Sequence, residues 1–283
     1  MNIKQIEKIL KDADIEANEA KIEAKMLAKH FLGLSNIDLT ISEELTGRED
    51  LLKKLFDAAN LRAQTRKPIQ HIIGYAYFMG EDFIVDENVL IPRDETEILV
   101  RNAISFLNSK PQTHQFKVLD IGTGSGCIAC MLAKETNSCS LGVDISCEAL
   151  NVAIENSSKL NLSDKVLFRK SDLFSDISGD EKFDLIISNP PYIPLSEEEK
   201  IQKEVKFDPK LALYAPDEKG VEFYKKIIEK APLHLKNGGA LMFELGVNQA
   251  EIVKEFMLAQ NFKEIEIQKD LAGIERVIKG IMA

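Results

Sequence analysis

The sequence predicts an α/β protein: a doubly wound, mostly parallel seven-stranded sheet, preceded by a small all-α domain and a β-hairpin linker. Three observations carry that prediction. Strand-like and helix-like segments alternate from residue 115 to the C-terminus, and alternation of this kind gives a parallel sheet with helices on both faces. A glycine-rich stretch, Gly122 to Gly126, joins the first of these strands to a helix. The first 66 residues, by contrast, carry only helical apolar spacing.

The helical region shows three apolar stripes: Ile3, Ile6 and Leu10; Ile22, Met26, Leu27 and Phe31; and Leu51, Leu52, Leu55, Phe56 and Ala59. Turns at Gly33, Ser35-Asn36 and Thr46-Gly47 separate them. A small bundle over 1–66 follows, with substrate docking as its expected role and a stabilising cap as the plainer one. Lys67-Pro68 should end the helices. Ile72 to Phe78 and Asp82 to Val85, split by Met79-Gly80-Glu81, read as a hairpin within a linker over 67–93. Leu90-Ile91-Pro92-Arg93 then leads into a helix with acids in its first turn, opening a third region over 94–283. Strands are expected at 117–120, 139–144, 166–170, 183–188, 240–245, 265–268 and 276–279, which makes seven. Residues 189–217 hold five of the nine prolines and are too long for a plain connector, as binding loops usually are.

Composition narrows the function classes. The chain has 283 residues, 45% hydrophobic and 29% charged, as a soluble globular protein does. No apolar run approaches the ~18–20 residues of a membrane helix, and the first residues lack a signal-peptide core. Four cysteines do not frame a disulfide scaffold at this length, so the cytoplasm is the expected location. A net charge of −10, from 36 basic and 46 acidic residues, argues against general duplex-DNA binding. It suits a partner that brings positive charge. No metal site is expected: Cys127 and Cys130 have Cys-x-x-Cys spacing but no second pair nearby, and read as small buried thiols.

The chemistry concentrates at strand ends. In Gly122-Thr123-Gly124-Ser125-Gly126 the glycines allow a close backbone approach to a ligand, and the helix that follows offers unpaired N–H groups to an anionic group. The spacing is neither that of a dinucleotide site nor that of a P-loop. Asp144 ends the next strand, where an acid can accept from both hydroxyls of a ribose. Asp172 could accept from an adenine amino group and Leu173 could cover the ring. Asn189-Pro190-Pro191-Tyr192 ends the fourth strand. Its prolines fix φ and remove two N–H donors, leaving the carbonyls and the Asn189 side-chain oxygen to accept from a planar –NH2 group beside the Tyr192 ring. A nucleoside site, an anion-binding helix start and an –NH2 claw together suggest S-adenosyl-L-methionine with an amide or amine acceptor.

These motifs resemble the class I S-adenosylmethionine-dependent methyltransferases that modify planar nitrogen. Adding Gln70-His71-Ile72-Ile73-Gly74, Leu90-Ile91-Pro92-Arg93 with Glu95-Thr96-Glu97, and Glu244-Leu245-Gly246 with Gln249, the chain resembles the peptide chain release factor N5-glutamine methyltransferases over residues 68–279. Asp94 and Asp208 stand where that family usually has proline and glutamate. The resemblance implies methylation of the glutamine of a Gly-Gly-Gln motif in class 1 peptide chain release factors. Gly122 to Gly126, Asp144, Asp172, Leu173 and Asn189 would hold the cofactor, and Asn189, Pro190, Pro191 and Tyr192 the glutamine amide. A monomer is expected. Three rivals stay open: a ribosomal-protein glutamine methyltransferase, an adenine-N6 DNA methyltransferase, and a cofactor-retaining scaffold without activity. Arg93 reads at least as readily as an ion-pair partner as a crevice residue, Glu244 ends a strand and could be structural, and the roles of both stay open.

Overall fold

The computed structural model describes residues 2–283, which divide into two compact units. One comprises the chain up to Tyr75 together with Gln202–Phe207, and the other Ala76–Ile201 together with Asp208–Ala283.

The first unit is helical: α1 Ile3–Lys11, α2 Ala17–Leu32, α3 Asp38–Ile41, α4 Glu49–Thr65 and α5 Ile69–Ile73. Asn2 and Gln5 form a capping box at the start of α1, and Gly33 closes α2 in the left-handed conformation. On α2 the buried face is Ala20, Glu23, Ala24, Leu27 and Ala28. Of the expected stripe Leu27 is buried and Met26 and Phe31 pack against this core, but Ile22 is 60% exposed. On α4 the buried face is Leu55, Ala58, Ala59 and Arg62, with Phe56 turned outward and 42% exposed. Small residues win because they let α1, α2 and α4 pack closely. The chosen faces also bring Glu23 and Arg62 together, and a buried cation needs that partner. Arg62 Nη2 lies 2.9 Å from Glu23 and Nη1 2.9 Å from Glu204 of the returning segment, which Arg66 also grips at 2.6 Å. The helices do not end at Pro68. It caps α5, and Gly74, at φ +81°, ends it, so Ile72 and Ile73 are helical rather than part of the hairpin.

The hairpin is shorter than expected, β1 Tyr75–Phe78 and β2 Glu81–Ile84, and all of it but Tyr75 belongs to the second unit, where α6 Asp94–Ser109 follows. Then come β3 Phe116–Ile121, α7 Cys127–Glu135, β4 Ser138–Asp144, α8 Cys147–Lys159, β5 Val166–Lys170 and β6 Phe183–Ser188. The long loop carries β7 Ile193–Pro194, α9 Lys210–Leu213 and β8 Tyr214–Ala215, a two-strand clasp. It leads to α10 Glu222–Lys230, β9 Leu235–Glu244, α11 Ala250–Ala259, β10 Lys263–Lys269 and β11 Glu275–Ile281. The main sheet has seven strands in the order β10-β11-β9-β6-β3-β4-β5. Only β11 runs antiparallel to its neighbours. Two apolar cores flank it. Leu99, Val100, Ile128 and Leu132 pack on one face, and Tyr224, Ile227, Val253 and Met257 on the other. Strand order reverses at β3, between β6 and β4, which places the ligand crevice of such a sheet at the C-terminal ends of these strands. Among the described residues no helix is long and apolar enough to cross a membrane.

Candidate active site

Parallel register aligns the strand ends. Ile121 pairs with Val143 and Ser188, and Asp144 with Lys170. The loops that leave β3, β4, β5 and β6 therefore converge on one cleft of about 260 Å³. Gly122 and Gly124, at φ +72° and +52°, line it, and a Cβ on either would meet nothing within 4 Å. The loop thus presents bare backbone to open space, where a ligand can approach closely. Asp144 sits across from it. Its Oδ2 accepts from the Gly124 N–H at 3.0 Å and its Oδ1 from the Ser146 N–H at 3.0 Å, which fixes the carboxylate and leaves further lone pairs for a ligand. Asp172 and Leu173 line the same cleft, Leu173 at φ +51°, an uncommon backbone state for a branched residue.

At the end of β6, Asn189, Pro190 and Pro191 complete the wall. Asn189 Nδ2 donates to Thr96 Oγ1 at 3.3 Å, and Thr96 Oγ1 donates to Glu244 Oε2 at 2.6 Å. Among the described residues nothing donates to Asn189 Oδ1 or to the Pro190 carbonyl. Glu244 ends β9, and burial pushes its carboxyl up to about 7, against the pull of Thr96 and the Tyr192 hydroxyl. The Tyr192 hydroxyl reaches Glu244 Oε1 at 3.4 Å, so this ring packs behind the cleft wall and against the core rather than lining the cleft.

Gln249 holds the claw from below. Its Nε2 donates to the Tyr192 carbonyl at 2.9 Å and to Lys219 at 2.9 Å, while its Oε1 accepts from Gly246 N–H and the Tyr224 hydroxyl. Both ends of the proline-rich loop are thereby tied to one side chain. Arg93 pairs with buried Asp208, beside Pro209, Leu211 and Ala212, which line the cleft. Cys127 and Cys130 are buried, and burial pushes the Cys127 thiol up to about 12 and Cys130 higher still, so neither is a nucleophile.

Of the residues expected at the site, the structure brings Gly122, Gly124, Asp144, Asp172, Leu173, Asn189, Pro190 and Pro191 to the cleft. The side chains of Thr123 and Ser125 are buried, Thr123 donating to Asp120 Oδ2 at 2.6 Å. Gly126 is packed against Ala153 and Phe168, where a Cβ would sit 3.0 Å and 3.2 Å away. Sequence reading did not anticipate Glu87 to Leu90, which line the cleft from the segment after the hairpin, nor Phe223 and Ile227 of α10. Thr96 and Glu244 entered the sequence reading only as parts of the Glu95-Thr96-Glu97 and Glu244-Leu245-Gly246 motifs, with no role given to Thr96 and that of Glu244 left open. Only the three-dimensional meeting of α6, β6 and β9 reveals that pair.

Comparison with known proteins agrees with this geometry. A family model described as "Methyltransferase domain" matches residues 112–278, and one described as "PrmC N-terminal domain" matches residues 3–74. The release factor glutamine methyltransferase of Chlorobaculum tepidum is 37% identical over 273 residues, covering 93% of this chain and 91% of the relative. That of Streptococcus pneumoniae is 39% identical, covering 90% and 91%. Among solved structures, the hMettl16 catalytic domain in complex with MAT2A 3′UTR hairpin 1 superposes with a TM-score of 0.60 at 18% identity, covering 92% of this chain and 91% of that one, which speaks for the fold alone. With such identity across nearly the whole of both relatives, this chain belongs to the release factor glutamine methyltransferase family.

Proposed function

We propose that this chain transfers a methyl group from S-adenosyl-L-methionine to the side-chain amide nitrogen, N5, of the glutamine in the Gly-Gly-Gln motif of class 1 peptide chain release factors. The observation that carries the reading is the pair of unengaged acceptors in the cleft wall, Asn189 Oδ1 and the Pro190 carbonyl. They match the two hydrogens of a primary amide. The bare glycine backbone of Gly122 and Gly124 and the fixed carboxylate of Asp144 fit the cofactor's amino-acid and ribose portions, and Asp172 and Leu173 its adenine.

The cofactor supplies a methyl group on a sulfonium, an electrophile that needs no further activation. The protein's task is to aim a poor nucleophile, because an amide nitrogen shares its lone pair with the carbonyl. Asn189 and Pro190 hold both amide hydrogens and turn the nitrogen toward the methyl. With the cofactor bound, transfer would form the N–C bond as the C–S bond breaks, its electron pair staying on sulfur as a neutral thioether, and the surplus nitrogen proton would leave to solvent. Positioning of this kind can lower a barrier by up to ~7–11 kcal/mol, and the acceptors stabilise the positive charge that develops on nitrogen. The two acceptors are a side-chain amide oxygen and a peptide carbonyl, neither of which takes up a proton near neutral pH, so no general base is invoked. The helical unit is the docking module for the protein substrate, and the acidic net charge of −10 suits a basic partner surface.

A radiolabelled methyl-transfer assay with purified release factor, ribosomes and duplex DNA tests the reading. Label is expected on the release factor and absent when its Gly-Gly-Gln glutamine is replaced. Label on ribosomes alone would instead assign a ribosomal-protein substrate, and label on DNA an adenine one.

A further inference from the structure

Asn189 has two chemically opposite ends of nearly equal size. Only one of them, the oxygen, can receive an amide hydrogen, so the claw works only if Nδ2 points away from the acceptor. The backbone does not decide this, since rotating the carboxamide by half a turn exchanges the ends at no steric cost. Hydrogen-bond partners must decide it.

We propose that Thr96 and Glu244 are positioning residues that set the polarity of Asn189, an inference that rests on the amide-methylation reading above. A hydroxyl has one hydrogen, and a carboxylate only accepts. In its charged form Glu244 only accepts, and its Oε2 takes the Thr96 hydrogen at 2.6 Å. Burial raises this carboxyl to about 7, so the relay is set in this sense as pH rises through that value. Thr96 Oγ1 is left able only to accept, and it accepts from Asn189 Nδ2 at 3.3 Å. The amide oxygen then points the other way, toward the substrate. The outer bond is long for its type and has room to tighten when the amide is loaded. The chain of three is held rigidly. Thr96 is 3% exposed and Glu244 2% exposed, and the latter's own backbone carbonyl accepts from the Tyr224 hydroxyl at 3.0 Å. The second carboxyl oxygen meets the Tyr192 hydroxyl, so one buried carboxyl contacts both the tyrosine of the motif and, through Thr96, its asparagine. Neither residue lines the cleft, so both act through Asn189 and not on substrate.

The test compares Thr96→Val, Thr96→Ser and Glu244→Gln in the full-length protein, with release factor as methyl acceptor. Thr96→Val keeps the shape and removes the hydrogen bond. It should lower kcat about tenfold to hundredfold, the range for an oriented hydrogen bond at a buried site, with cofactor Kd within about twofold. Thr96→Ser, which keeps the hydroxyl, should return kcat to within about threefold of the unaltered chain. Glu244→Gln can donate as well as accept and should fall between the two. A general packing defect would not be rescued by serine, which is the smaller residue. Equal kcat in Thr96→Val and the unaltered chain would overturn the proposal, as would serine performing no better than valine. A second arm needs no substrate: the Asn189 side-chain Nδ2 protons, followed by NMR on asparagine-labelled protein, should exchange with water faster in Thr96→Val. Unchanged exchange also overturns it. If the unaltered chain methylates no release factor, the proposed function falls, and this exchange arm alone decides whether the relay holds Asn189.

Discussion

At the scale of single residues, the site separates side chains that meet a ligand from those that aim them. Asn189→Ala should cut turnover by about 10²–10³, as loss of one preorganised polar group does elsewhere, with cofactor affinity nearly intact. Methyl-transfer kinetics beside calorimetric cofactor titration would show the split, and undiminished turnover would remove the claw from the mechanism. Asp144→Ala should do the reverse, weakening cofactor binding by about tenfold to hundredfold through loss of charge-assisted bonds while leaving the claw in place. The buried acid at the end of β3 gives a pH signature of another kind. Burial raises the Asp120 carboxyl from 3.8 to about 7, against the Thr123 hydroxyl that steadies its charged form, with the Asp144 charge raising it slightly further. The folded state therefore binds a proton that the unfolded chain has released. The stabilising effect is complete below pH ~4 and is lost as pH climbs through about 7. Thermal melts from pH 5 to 8 should show the melting temperature falling, and falling less in Asp120→Asn. Asp144 and Asn189 were legible in the sequence because each follows a strand in a short, chemically marked motif. Thr96 was not, because its role is made by two partners from distant elements.

At the scale of elements, glycines and one glutamine set the geometry of the loops. Gly220 sits at φ +69°, and a Cβ there would lie 2.0 Å from the Tyr192 carbonyl oxygen and 2.6 Å from Gln249 Nε2. Gly220→Ala should therefore push apart the tie between the loop's two ends, costing about 1–3 kcal/mol, as overpacking does, and lowering activity together with stability. Denaturant unfolding and kcat on the same preparation would show whether the two losses travel together. The seven sheet strands and their helices were readable from alternation. The central parallel strands β3 and β6 carry buried apolar runs, and the edge strand β10, paired antiparallel to β11, alternates isoleucine with charged or polar residues. The helical faces were less so. Ile22 and Phe56 look like core residues and lie outward, while Ala20, Ala24 and Ala58 lie inward. Hydrophobicity alone ranks those residues in the opposite order, and close helix packing overrides it. Pro68 shows a related point: at a helix start it costs nothing, so it opened α5 where it was expected to end the bundle.

At the scale of the whole molecule, no local pattern in the sequence marks Gln202–Phe207 as part of the helical unit. The segment lies within the proline-rich loop, and only its pairing shows where it belongs: Glu204 answers the guanidinium groups of Arg62 and Arg66. Glu204→Ala should lower the stability of the helical unit by about 1–3 kcal/mol, the cost of stranding a buried donor. Hydrogen exchange resolved by peptide would detect faster opening of α2 and α4, and unchanged exchange there would show that Glu204 contributes little. A practical consequence follows for anyone dissecting this protein. A fragment cut after Tyr75 keeps Arg62 with Glu23 but leaves Glu204, the counter-charge shared by Arg62 and Arg66, on the other piece. Expressed alone, it should be loosely ordered, and a synthetic peptide spanning residues 202–207 should tighten it by complementation.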